Sequence, residues 1–164
     1  MRNLVCSVAI CLIACMHVNA AEKYSDKEGF SYDIPPGWQL VPGADAYKIS
    51  VAAAVKGLNP NINISMVIGR EFDMKKFVLD VWGNMERASP KAKKTSEGEF
   101  KAGGNLKCTK ISLTDEMSGK KVRQFCYLFT GNEKSITVLC TCADADDTTE
   151  ATFDAAMKTF AITK

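Results

Sequence analysis

Between residues 62 and 88 the hydrophobic period of this chain changes from two to nearly four. Ile62, Ile64, Met66 and Ile68 occupy every second position, which places them on one face of an extended strand. Asp73 then offers a helix cap, and Phe77, Val81, Met85 and Ala88 recur at helical spacing, with Val78 and Trp82 widening the stripe. Ser89-Pro90 ends that helix, because a proline disfavours the helical conformation of the residue before it. A strand with one apolar face and a helix with one apolar stripe each need a partner layer. The chain must therefore build a layered structure containing both.

The flanking segments supply the other layers. Gly29–Ile34 alternates aromatic or aliphatic with polar residues, and Pro35-Pro36-Gly37 stops it at a turn. Trp38 opens a second extended piece with Leu40, and Val41-Pro42-Gly43-Ala44-Asp45 is another turn. Residues 21–28 read as a polar lead-in, and Tyr47 to Val55 as a strand. Beyond the helix, strands are expected at Thr95–Lys101, Leu106–Leu113, Lys121–Thr130 and Ser135–Ala143. The junctions Asp115–Lys120 and Gly131-Asn132-Glu133 have hairpin chemistry. A final helix starts at a capping-box-like Asp147 and Glu150 and buries Phe153, Met157 and Phe160. Hairpin-length connections favour an antiparallel sheet. The expected fold class is thus α+β, an antiparallel β-sheet covered by helices in an α/β/α sandwich. No internal repeat or low-complexity linker interrupts it, so residues 21–164 read as a single domain.

The first twenty residues read as a signal peptide. Arg2 precedes an uncharged run from Leu4 to Ala14, too short at ~1.5 Å per residue to cross a ~30 Å hydrocarbon core. Two processing sites compete. Val18-Asn19-Ala20 suits ordinary signal peptidase, whereas Leu12-Ile13-Ala14-Cys15 resembles a bacterial lipobox in which Cys15 is the lipidated residue. Cys6 and Cys11 show the same run using cysteine as small apolar filler. Either route exports the domain, to the periplasm, the exterior or a lipid anchor. With 21 basic against 19 acidic residues the chain has no electrostatic case for nucleic acid. A membrane contact is expected only through a lipid anchor at Cys15.

The only histidine, His17, lies within that leader. A mature monomer therefore cannot assemble a Ser-His-Asp triad, a Cys-His pair or a histidine-based zinc site. The dense acidic stretch Asp144, Asp146, Asp147 and Glu150 lacks the order of a calcium loop and suits a helix start instead. No catalytic, cofactor-binding or metal-binding residue is expected, and no cofactor. The runs Lys91-Ala92-Lys93-Lys94 and Lys120-Lys121-Val122-Arg123 read as solvated loops before anionic sites, and Trp38 and Trp82 as core residues before pocket walls. The sequon Asn63-Ile64-Ser65 lies in a strand-like run and reads as a chance occurrence.

Cys108, Cys126, Cys140 and Cys142 follow the leader, and an even number in an exported domain suggests disulfides. A turn centred on Met117 sets Cys108 opposite Cys126, within bridging range. In the next hairpin a turn centred on Asn132 sets Cys126 against Val138, while a longer loop would set it against Cys140. The expected bridge is Cys108–Cys126, with Cys126–Cys140 as its competitor. Cys140-Thr141-Cys142 is the sharpest redox candidate, yet its alternation with Ile136 and Val138 puts both thiols on the apolar face.

Several segments together resemble the PsbP-like family, whose bacterial relatives include DcrB-type exported proteins. They are Tyr24-Ser25-Asp26, Gly29-Phe30-Ser31, Ile34-Pro35-Pro36-Gly37-Trp38, Asn61-Ile62-Asn63-Ile64-Ser65, and Phe153 with Met157-Lys158-Thr159-Phe160. The resemblance spans about residues 24–162. It implies an antiparallel sheet between helices in a non-catalytic accessory or binding protein, of the kind found among lumenal photosystem subunits and envelope lipoproteins. The resulting expectation is an exported, non-enzymatic accessory or binding domain with a protein or small-molecule partner in the cell envelope. The alternative is a thiol-based redox protein or redox-sensitive chaperone using Cys140 and Cys142.

Overall fold

The computed structural model describes residues 22–41, 48–51, 54–70, 72–104 and 106–163. Residues 1–20, with Cys15 and both processing sites, lie outside them, as do Pro42–Asp45 of the expected second turn and Tyr47, Ala52 and Ala53 of the expected strand. Glu22–Asp26 (β1), Phe30–Ile34 (β2), Trp38–Leu40 (β3), Lys48–Val51 (β4) and Asn61–Ile68 (β5) precede the helix Met74–Ala88 (α1). Lys93–Glu99 (β6), Lys107–Met117 (β7), Lys120–Gly131 (β8) and Lys134–Ala143 (β9) follow, then Thr149–Lys158 (α2) and Ala161–Ile162 (β10).

Among the described residues the strands form a seven-stranded sheet in the order β3-β4-β5-β9-β8-β7-β6 and a three-stranded sheet in the order β1-β2-β10. Every pairing is antiparallel. The large sheet is sandwiched. On one face Phe153, Met157 and Phe160 meet Phe125, Tyr127 and Phe129, and Phe30 and Tyr32 of the small sheet close the same core. On the other, Phe77 and Val78 of α1 rest on Ile111, Leu113, Cys126 and Leu128. The α+β sandwich expected from the sequence is the observed architecture.

Local chemistry places each element. Asp73 caps α1 by accepting a hydrogen bond from the Lys76 amide at 3.0 Å, as its sequence position suggests. The β5 alternation buries Ile62 and Ile64 and half-buries Met66, but Ile68 is 54% exposed because the strand runs past the core. At α2 the N-cap residue is Thr148, whose side chain makes no capping bond, and the carboxylate that serves the first amides is Asp146 and not Asp147. Asp146 accepts from the backbone amides of Thr148 and Thr149, each at 3.1 Å, and from both threonine hydroxyls. Asp147, by contrast, is almost fully exposed.

Two further expectations fail. Residues 22–26 are not a lead-in but β1, an edge strand whose ladder to β2 runs from Glu22 opposite Ile34 to Asp26 opposite Phe30. An edge strand with water on its outer side tolerates a sequence too polar for a central one. The second failure is the hairpin register. Met117 pairs with Lys120 and Gly131 with Lys134, so each turn has only two residues. Ser118 (φ 51°) and Gly119 (φ 77°) form the first, Asn132 (φ 49°) and Glu133 (φ 58°) the second, and left-handed pairs of this type match the twist of the flanking strands.

That register overturns the expected disulfide. Cys108 stands opposite Phe129, and Cys126 stands opposite Leu139, not Cys140. Because side chains alternate faces, an odd slip inverts every side chain. Cys108 and Cys140 point to the α2 side of the sheet and Cys126 to the α1 side, so neither Cys108–Cys126 nor Cys126–Cys140 can close. All four cysteines are buried free thiols.

Candidate functional site

Among the described residues, a cluster of ion-paired side chains lies where the flank of α2 meets β7 and β8. Lys110 and Tyr127 are cross-strand neighbours in the β7–β8 ladder. Glu150 and Asp154, one helical turn apart on α2, reach down to them. The Lys110 ammonium donates to Asp154 Oδ1 at 2.7 Å and to Glu150 Oε1 at 2.9 Å, and the Tyr127 hydroxyl donates to the same Asp154 oxygen. The ammonium also lies 4.9 Å from the centre of the Phe125 ring and 5.4 Å from that of Tyr127. Arg123 extends the cluster toward the start of α2. It donates to the Asp146 carbonyl and lies 3.7 Å from carboxylate oxygens of Asp147 and Glu150, while its Nε is buried without a hydrogen-bond partner.

The electrostatics follow from this geometry. Burial pulls the Lys110 ammonium toward its neutral form, but the hydrogen bonds it donates to Asp154 and Glu150 and their charges outweigh it and hold the group above the ordinary lysine value. Burial, reinforced by Cys140 and Asp154, pushes the Tyr127 phenol far upward. Burial works to raise the Asp146 carboxyl, yet the hydroxyls and amides of Thr148 and Thr149 lower it below the ordinary value. Lys110, Arg123, Glu150 and Asp154 each meet an opposite charge of the same chain, while Asp146 is held by hydroxyls and amides. A lysine free to act as a base would need to be driven downward, and this one is driven the other way.

The thiols are placed equally clearly. Burial pushes Cys126 up to about 12 and Cys142 up to about 11, the latter despite Arg123, and raises Cys108 and Cys140 as well. Cys140 and Cys142 share the apolar face with Ile136 and Val138, as their alternation suggests. A reactive thiol needs access and a lowered pKa, and these have neither. The basic runs are also engaged. Lys91 meets Glu116 at 2.7 Å, Lys94 meets Glu97 and lies over the Trp82 ring, and Lys120 donates to the Gly57 carbonyl at 2.6 Å. Trp38 packs edge-on against Phe153 and Trp82 lies against the α1-side core. Among the described residues no group of three or more His, Cys, Asp or Glu is placed to hold a metal ion.

Sequence reasoning named Arg123, Asp146 and Glu150 but missed Lys110, Tyr127 and Asp154. Glu150 and Asp154 carry the spacing of a charged helix flank, but their partners emerge only once the β7–β8 register is known.

An antiparallel sheet held between two helices, with β1, β2 and β10 in a small second sheet, gives the described residues the PsbP-like fold. The solution structure of cyanobacterial PsbP (CyanoP) from Synechocystis has a TM-score of 0.61 at 17% identity, over 92% of this chain and 98% of that one. LpqN of Mycobacterium tuberculosis, involved in cell envelope biogenesis, has a TM-score of 0.61 at 15% identity, over 90% of this chain and 88% of its own. The Saccharomyces cerevisiae Ran-binding protein Mog1p follows with a TM-score of 0.55 at 7% identity, over 87% and 96%. At these identities the likeness is one of fold, and one fold serves many roles. No family model matches the sequence, and no curated protein matches it.

Proposed function

We propose that the protein is an exported accessory domain of the cell envelope that acts by binding and not by catalysis. The observation that carries this reading is the self-neutralised cluster at α2: the charges of Lys110, Arg123, Glu150 and Asp154 pair with one another within the chain. The likeness of the fold to CyanoP and to the envelope protein LpqN supports the accessory role. The uncharged run Leu4–Ala14 with Val18-Asn19-Ala20 supports export, and Cys15 supplies the lipid-anchored variant of it. Among the described residues no helix is long and apolar enough to cross a membrane.

Cell fractionation with mass spectrometry of the purified protein tests the reading. An N-terminus at Ala21, or an acylated Cys15, is expected outside the cytoplasm. An intact Met1 on cytoplasmic protein would overturn export. The burial of Cys140 and Cys142 weighs against the thiol-redox alternative.

A further inference from the structure

Helix α1 covers only part of its face of the sheet. Its buried side chains rest on β7 and β8, and the same face of β5 and β9 is left to floor an open groove of about 420 Å³ against the helix flank. Asn63, Ser65 and Thr137 supply the polar floor. Val81, Met85 and Leu139 supply an aliphatic wall, and Asn84 stands at the rim. No charged residue lines it.

That neutrality sets the groove apart from the edge strands β1 and β6, which carry charges where they face water, as Glu22 and Lys23 do in β1 and Lys93, Lys94, Glu97 and Glu99 in β6. Where β5 faces core it carries Ile62 and Ile64. On its other face Asn63 and Ser65 line the groove and are neither charged nor apolar. The Asn63 amide is also held in place: it donates to Asn61 Oδ1 at 2.6 Å, and Asn61 donates to the Asn59 carbonyl at 3.1 Å.

We propose that this groove binds an uncharged saccharide. Amides and hydroxyls each present donors and acceptors, the complement of a sugar hydroxyl, which is itself both. The aliphatic wall suits the C–H face of a pyranose ring, and the volume falls within the range of small-ligand sites. A charged ligand would be desolvated there without a counter-charge. The proposal rests on the binding-domain reading and gives it a ligand class.

The test is a titration of the isotope-labelled full chain, read by amide resonances. The probes are chitotriose, cellotriose and maltotriose, with the cationic glucosamine trimer and anionic trigalacturonate as charged counterparts. At least one neutral trisaccharide is expected to shift Asn63, Ser65, Asn84 and Thr137 saturably, and the charged trimers to bind at least about tenfold more weakly. Ser65→Lys, at an exposed position, should weaken that binding about tenfold or more without moving the unfolding midpoint. Three results each overturn the proposal: no neutral trisaccharide binding below about 10 mM, shifts confined to other surfaces, or charged trimers binding equally well. An uncharged peptide that moves these resonances when no saccharide does would overturn it too. Export is read separately by N-terminal mass, so either reading can fail alone.

Discussion

Lys110 and Tyr127 face each other across β7 and β8, and both donate a hydrogen bond to one oxygen of Asp154 on α2. One helical carboxylate thus ties the helix to two strands. Asp154→Ala leaves a mostly buried ammonium and a buried phenol without their shared acceptor, a loss of roughly 2–4 kcal/mol. Urea unfolding measures it, and Asp154→Asn, which keeps an oxygen acceptor but no charge, should fall between alanine and wild type. A loss below about 1 kcal/mol would show that the oxygen is not the tie described.

Acid sensitivity traces to Asp146. Its folded-state carboxyl is held below the ordinary value of 3.8, so its contribution to stability is present above that pH and lost as pH falls toward the lower folded value. Lys110, held above 10.5, contributes below that pH and loses its contribution as pH rises through the raised folded value. Asp146→Asn should therefore cost stability at neutral pH, and the difference from wild type should shrink below about 3.8. Unfolding curves between pH 2.5 and pH 7 decide this, and a pH-independent difference contradicts it.

The cysteines give a chemical readout. A chain beginning at Ala21 carries Cys108, Cys126, Cys140 and Cys142, all buried. No thiol should react with an aromatic disulfide reagent at pH 8 in the native state, and all four should react in urea. Non-reducing peptide mapping that finds a Cys108–Cys126 or Cys126–Cys140 link would refute the register.

Glu133 occupies the second left-handed position of its hairpin turn at φ 58° and is exposed. Glu133→Gly gives the turn its preferred Asn-Gly pair and should stabilise the protein by about 0.5–1 kcal/mol, whereas Glu133→Val should destabilise it. Thermal unfolding of the two variants beside wild type measures both signs.

Legibility in the sequence followed the size of the periodic signal. The Phe153, Met157, Phe160 stripe and the Asp73 cap were readable because each depends on residues within a few positions of itself. The register of β7 on β8 was not, since it depends on which residues turn. Asp115–Lys120 holds enough polar and glycine residues for a long turn, yet Asp115 and Glu116 stay in the ladder opposite Val122 and Lys121. That slip sent Cys126 to the wrong face and hid the meeting of Lys110 with Tyr127. β10 escaped notice because two residues carry no period at all.

The stacking of Phe160 has a consequence for the order in which the chain matures. Its ring lies 4.2 Å from that of Phe129, 5.7 Å from Phe30 and 6.0 Å from Tyr32. Just beyond it, Ala161 pairs with Ser31 in β2. A chain made from its N-terminus presents Phe30 and Tyr32 early, beside Tyr24, but leaves the side that Phe160 covers open until residues 160–162 are made. The core around these rings thus closes only once α2 and β10 have been made, which gives a holding chaperone a long interval to engage an open chain.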